Sequence, residues 1–310
     1  MPKVSVIIPN FNHAPYLTQR IESILAQTYQ DYEILFLDDC STDDSKKIID
    51  QYTNHPKVSH IIYNKENSGS TFKQWKKGVE LSSGKYIWIA ESDDWCEPTL
   101  LEVLVEGIEK DHDCVISYCQ SYCLNNDYKI RFQSSHPSLS EIVDGNIYIQ
   151  DYLSVPVSIF NASMALWKKD KFQFVPEELT SFRFCGDWYF WIQLCKHGKV
   201  HISGKLLNYF RKHDNDVSGR AYKSGLNFIE ELKVINMLYS EGLISEKKHY
   251  KAYKKKFIDF WQVKDQIEGK NKVVIEEIFR HSLSSKTSVA KLTPIAIWKK
   301  LKFDWKNRKR

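Results

Sequence analysis

Hydrophobic positions in the first half of the chain alternate between two periods. Short, β-branched runs at Lys3–Ile8, Glu33–Leu37, Val58–Tyr63 and Lys85–Ala90 read as buried strands. Between them, Ala14–Gln27 places Leu17, Ile21, Ile24 and Leu25 at helical spacing. Asp43–Tyr52, Thr71–Leu81 and Pro98–Glu109 also read as helices, the first capped by Ser41 or Thr42 and the last with proline in its first turn. Val115–Tyr122 follows as a fifth strand. Such alternation predicts an α/β fold, a Rossmann-like and mostly parallel sheet flanked by helices. Residues 124–160 read as loops and short strands, Asp187–Lys196 as a helix closed by Gly198, and Lys199–Ser203 and Leu206–Arg211 as two short strands. From Tyr222 onward the pattern is helical only, with breaks expected near Gly242, Gly269 and Pro294. A boundary near 215–222 gives two expected domains, an α/β domain at 1–220 and a helical extension at 221–310.

Charge sharpens that division. Residues 1–220 carry 23 basic and 29 acidic side chains, whereas residues 221–310 carry 21 basic and 10 acidic. A basic extension on a weakly acidic body suits an anionic partner, and the tail's aromatics (Trp298, Phe303, Trp305) among lysines suit an anionic membrane surface. No nucleic-acid-binding module accompanies the cluster, so nucleic acid is not expected as a partner. No run approaches a bilayer-spanning length. The start, Met1-Pro2-Lys3, has no secretory pattern, and the seven cysteines show no metal or disulfide spacing. The expected location is cytoplasmic, peripheral at the cytoplasmic face of the membrane if the tail binds lipid.

The chemistry begins at the strand ends. Asp38-Asp39 follows the second strand and Glu91-Ser92-Asp93-Asp94 the fourth. An open parallel sheet binds its ligands at that edge, and clustered carboxylates there call for a cation or hydrogen-bond donors. One Asp-Asp pair alone is commonly a turn or cap; two pairs, each after a buried strand, point to a metal-dependent site for a phosphorylated ligand. No glycine precedes Gly69, which excludes the glycine-rich phosphate turns of dinucleotide folds and P-loops.

The ordered motifs resemble the inverting family-2 glycosyltransferases of the GT-A fold. They run from Val4–Asn12 through Ser23–Tyr29, Leu37–Asp43, Asn67-Ser68-Gly69, Gly84–Ile87 and Glu91–Asp94 to Gly186–Trp191 and Arg211-Lys212-His213 with Val217-Ser218. The resemblance covers about residues 3–218. It implies a metal-dependent transfer of a sugar from a nucleotide-diphosphate donor, UDP- or dTDP-linked, to a hydroxyl of a cell-surface glycan precursor that can be lipid-linked. Mn2+ or Mg2+ is the implied cofactor. Asp39 matches the acid that bonds the pyrimidine ring, and Pro9 lies beside base and ribose. Asp93 matches a donor ribose or sugar contact, Asp94 the metal ligand, Asp187 the general base, and His213 a histidine on the diphosphate or metal. Gly186 stands where the family usually has Glu, Glu91 opens the Asp-x-Asp motif, and Thr71–Lys76 replaces an Ala-Arg-Asn segment. Lys73 and Lys76 both remain open as a phosphate contact. Asp38 is expected to brace a loop, and Trp95 is the best-placed ring to stack on a sugar. A sugar-phosphate nucleotidyltransferase and a non-catalytic glycan-binding relative are the competing readings. The first lacks its glycine loop here, and retention of Asp94 and Asp187 argues against the second.

Overall fold

The computed structural model describes residues 2–155, 157–213, 217–267, 269–281 and 289–307. The chain forms two compact units. One comprises residues 1–148 with 158–213, and the other residues 149–157 with 214–310.

The first unit is built on a single mixed sheet. Strands β1 (Val4–Asn10), β2 (Tyr32–Asp38) and β4 (Tyr86–Ile89) are buried at every position. Their apolar runs do not alternate because helices cover both faces. With β3 (Val58–Tyr63) they form a parallel half-sheet in the order β3-β2-β1-β4. Helices α1 (Ala14–Leu25), α2 (Ser45–Asp50) and α3 (Thr71–Leu81) make the crossovers. Register pairs Asn10 with Asp38 and Ile7 with Ile89, so the turns after β1, β2 and β4 open at one edge.

The other half-sheet brings distant segments to that same edge. After a two-residue β5 (Trp95–Cys96) and helix α4 (Leu100–Glu109) comes β6 (Cys114–Asn125). It is followed by β7 (Ile130–Gln133), β8 (Ser140–Asp144) and a helix, α5 (Gly145–Tyr152). Strand β9 (Ala165–Lys168) lies antiparallel between β4 and β6. After α6 (Gly186–Cys195), strand β10 (Lys199–Lys212) runs parallel to β6 and pairs Tyr209 with Trp95 of β5.

Four expectations change here. The two strands anticipated at Lys199–Ser203 and Leu206–Arg211 are one, because pairing with β6 resumes after an irregularity between Ile202 and Leu206. Residues 124–160 hold a helix, α5, as well as strands. β5 and β9 were not anticipated, and α6 starts at Gly186.

The second unit is helical: α7 (Val217–Ser224), α8 (Leu226–Ser240), α9 (Glu246–Val263), α10 (Gly269–Arg280) and α11 (Val289–Asn307). Phe228, Leu232, Tyr253, Phe257 and Phe279 form its core. Pro294 lies inside α11 and forfeits a backbone bond without ending the helix. The expected boundary touches residues 214–216, and the basic end at 308–310 likewise lies outside the described residues. No helix among the described residues is long and apolar enough to cross a membrane.

Candidate active site

Strand β2 ends at Asp38, and its exit turn sends Asp38 and Asp39 in different directions. Cys40 holds φ at +67°, a left-handed conformation rare for a residue with a Cβ, so the chain reverses directly after Asp39. Asp38 turns inward as a brace. Its Oδ2 accepts from Asn10 Nδ2 at 2.8 Å and its Oδ1 from the Ser41 N–H at 2.9 Å. Asp39 is held by the loop that follows β3 and by α3. Its Oδ1 accepts from Asn64 Nδ2 (2.7 Å), the Ser68 N–H (2.9 Å) and Gln74 Nε2 (2.9 Å). Its Oδ2 accepts only from Ser68 Oγ, at 2.8 Å, among the described residues. Each carboxylate oxygen offers about two lone-pair positions, so Oδ2, with one donor, retains capacity for a ligand donor. Two further buried acceptors, Asn10 Oδ1 and Gln74 Oε1, have no donor among the described residues. Pro9 is buried in β1 in register with Leu37, one residue from the edge.

The turn after β4 carries the second acidic group. Glu91 Oε1 accepts from the Trp75 indole at 3.1 Å, and its N–H donates to Ser163 Oγ at 3.0 Å. Burial, together with Asp93 and Asp94, pushes the Glu91 carboxyl up to about 8. Asp93 faces two histidines. His213 Nε2 lies 3.1 Å from its Oδ2, and the Arg211 side chain bonds its carbonyl at 3.0 Å. Burial alone would raise the Asp93 carboxyl, but His13 and His213 outweigh it and draw it below the usual range. Asp94 is buried beneath them. Its Oδ2 accepts from Asn161 Nδ2 (2.9 Å) and Ser163 Oγ (2.7 Å), and its Oδ1 from the Arg211 N–H (3.1 Å). Burial and the neighbouring Asp93 push its carboxyl upward. The fully buried Arg20 guanidinium, stacked on Trp88 at 4.8 Å, supplies opposing positive charge without bonding a carboxylate among the described residues.

Ligand atoms of His13, Asp93 and His213 all lie within 4.8 Å of one another. Two imidazoles and a carboxylate are a donor set that suits manganese better than magnesium, which prefers oxygen ligands. Asp94, the position expected to ligate the metal, does not join this group. Its bonds to Asn161, Ser163 and Arg211 join the β4 turn to the approach of β9 and to β10. His13 was missed by sequence reasoning. Its place, in the turn after the first strand, is the signal that could have found it, because that turn opens at the same edge.

The remaining expected residues divide. Trp95 stacks on Tyr209 (ring centroids 4.9 Å apart) and lies 4.6 Å from the Arg211 guanidinium, so its faces are engaged by the chain itself. Lys76 pairs with Glu177, whereas Lys73 donates to the Ser68 carbonyl beside Asp39. Asp187 lies half-buried in the first turn of α6, where its Oδ1 accepts from the Trp188 N–H at 2.8 Å. Gly186 makes that position attainable. A Cβ there would sit 2.5 Å from the Phe72 ring. Phe72 meets Trp75 edge-on at 5.0 Å, and Trp75 reaches Glu91. The start of α6 therefore rests on an aromatic pair tied to the β4 turn.

Comparison with known proteins bears on the family and the fold. The family described as glycosyl transferase family 2 matches residues 5–174. Glycosyltransferase GlyG of Streptococcus pneumoniae is 36% identical over 120 residues, 38% of this chain and 40% of that one. The putative teichuronic acid biosynthesis glycosyltransferase TuaG of Bacillus subtilis is 26% identical over 226 residues, covering 72% of this chain and 84% of its own. Among solved structures, Staphylococcus aureus TarS residues 1–349 in complex with UDP-GlcNAc superposes with a TM-score of 0.56 at 19% identity, over 92% of this chain and 74% of that one. At that identity the likeness shows a shared fold, the GT-A arrangement.

Proposed function

The chain belongs to glycosyl transferase family 2, and from that premise we propose that its sheet edge transfers a sugar from a UDP-sugar to a hydroxyl of a cell-surface glycan precursor, with inversion. The observation that carries the reading is the meeting of Asp39, with an acceptor oxygen to spare, and the His13–Asp93–His213 cluster at one edge. TarS is described with UDP and with UDP-GlcNAc, and TuaG as a putative teichuronic acid biosynthesis glycosyltransferase. The first description favours a uridine donor and the second a surface-polymer acceptor. Here Asp39 Oδ2 accepts the uracil N3–H, and Pro9 borders the nucleoside. The orphaned acceptors Asn10 Oδ1 and Gln74 Oε1 suit donors of the same ligand, ribose hydroxyls among them. Asp93, His213 and His13 would hold a divalent cation, manganese by preference, which supplies positive charge for the departing nucleoside diphosphate. That assignment moves the metal from Asp94 to Asp93.

Asp187 is the base. A hydroxyl attacks an anomeric carbon poorly until its proton is removed, and a carboxylate placed on the acceptor side accepts that proton as the bond forms. The new bond forms on the face opposite the departing UDP. Release of UDP from a panel of UDP-sugars, with manganese and a glycan acceptor, tests the reading. Asp187→Asn is expected to lower kcat by roughly two to four orders of magnitude while UDP affinity stays within a few-fold. Normal turnover in a folded Asp187→Asn protein sinks the base assignment.

A further inference from the structure

Helix α11 is apolar on two sides. Leu292 and Ala296 are buried in the core of the helical unit, with Val289 and Ile295 packed against it. At 3.6 residues per turn, Ile297, Trp298 and Leu301 fall on the opposite side. They are 43%, 60% and 65% exposed. An inner stripe explains why the helix docks on its own unit. The outer stripe stays largely exposed, and large apolar side chains gathered on one exposed helix face mark an interaction surface.

Charge decides what that surface meets. Residues 289–310 hold eight lysines and arginines against one acid, Asp304. Lys299 and Lys291 are exposed, while Lys300 is paired with Asp265. A second copy of the chain, meeting this face about a two-fold axis, would bring two such cationic segments together. A nucleic acid would satisfy the lysines but give the apolar stripe nothing to bury. An anionic lipid surface satisfies both, since the apolar stripe enters the acyl boundary while lysine stems reach the phosphates.

We propose that the outer face of α11 docks this protein on an anionic membrane, with the helix lying in the interface. The inference does not depend on the transfer chemistry, and its test does not read activity. The full chain is sedimented with vesicles of phosphatidylcholine alone and of phosphatidylcholine containing about a third phosphatidylglycerol, at low and high salt. Binding is expected to the anionic vesicles, weaker by at least about tenfold on the neutral ones, and to fall with salt. The triple variant Ile297→Ser, Trp298→Ser, Leu301→Ser is expected to lose about tenfold or more of that binding while keeping its circular dichroism and melting temperature, since all three side chains are exposed. No binding by the unaltered chain, equal binding to both vesicle types, or full binding by the triple variant overturns the proposal. A concentration-dependent dimer that the triple variant abolishes also overturns it, and assigns the face to a second copy.

Discussion

Asp38 and Asp39 are neighbours in sequence with different work, and so are Asp93 and Asp94. The two members of each pair bond to different parts of the chain. Asp38 accepts from Asn10 and Ser41 and Asp94 from Asn161, Ser163 and Arg211, whereas Asp39 is bonded to the segment after β3 and Asp93 faces His13 and His213. Sequence reading expected Asp38 to brace a loop and Asp94 to hold the metal, whereas the candidate ligand cluster among the described residues includes Asp93. The partners that occupy Asp94 come from β9's approach and from β10, about seventy and over a hundred residues away. No local pattern reports them. Gly186 is a second case in which the residue type records a distant contact. A Cβ would overlap the Phe72 ring, and such overpacking typically costs about 1–3 kcal/mol. Gly186→Ala is therefore expected to shift the first turn of α6 and lower kcat by about tenfold or more, with UDP affinity nearly unchanged. Adding Phe72→Leu should recover much of the loss. A Gly186→Ala enzyme with unaltered kcat removes the positioning role, whatever the standing of Asp187 itself.

Elements were legible where their pattern was long or fully buried. Thr71–Leu81 is a helix at the residues its spacing predicts, and β1, β2 and β4 lie within a residue or two of their apolar runs. β5 and β9 escaped because two and four residues carry no period, and their pairing is set by β10, β4 and β6. β10 escaped as one strand because Gly204 and Lys205 interrupt its apolar pattern, although pairing with β6 continues on either side. That strand also carries a buried histidine with a measurable consequence. His201 is bonded by Ser117 Oγ at 2.8 Å and Ser140 Oγ at 3.0 Å. Burial, with a smaller push from Lys110, lowers its pKa to about 4. Its unfolded value is near 6.5, so between these values the unfolded chain binds more protons than the folded one. Stability from this group is fully present above that upper value and is lost as pH falls toward the lower. The melting temperature should therefore drop on acidification across that window. His201→Gln should remove part of the drop, and an unchanged pH profile in that variant would show that His201 is not its source.

At the scale of the whole molecule, the α/β fold followed from alternating periods, and the helical character of the later residues from the single period that replaces them. The contacts divide the chain after His213 but give residues 149–157 to the helical unit, a return that no composition shift announces. The proposed chemistry belongs to the first unit alone, and its central claim is that UDP is held jointly by Asp39 and by a cation on Asp93, His213 and His13. Titration calorimetry of UDP, with and without manganese, tests this most directly. Manganese should tighten UDP binding by at least about tenfold, or ~1.4 kcal/mol. Asp93→Asn should abolish that gain, and Asp39→Ala should weaken binding with or without the metal. UDP binding of equal strength in manganese and in excess chelator, or a full manganese effect in Asp93→Asn, would contradict the account.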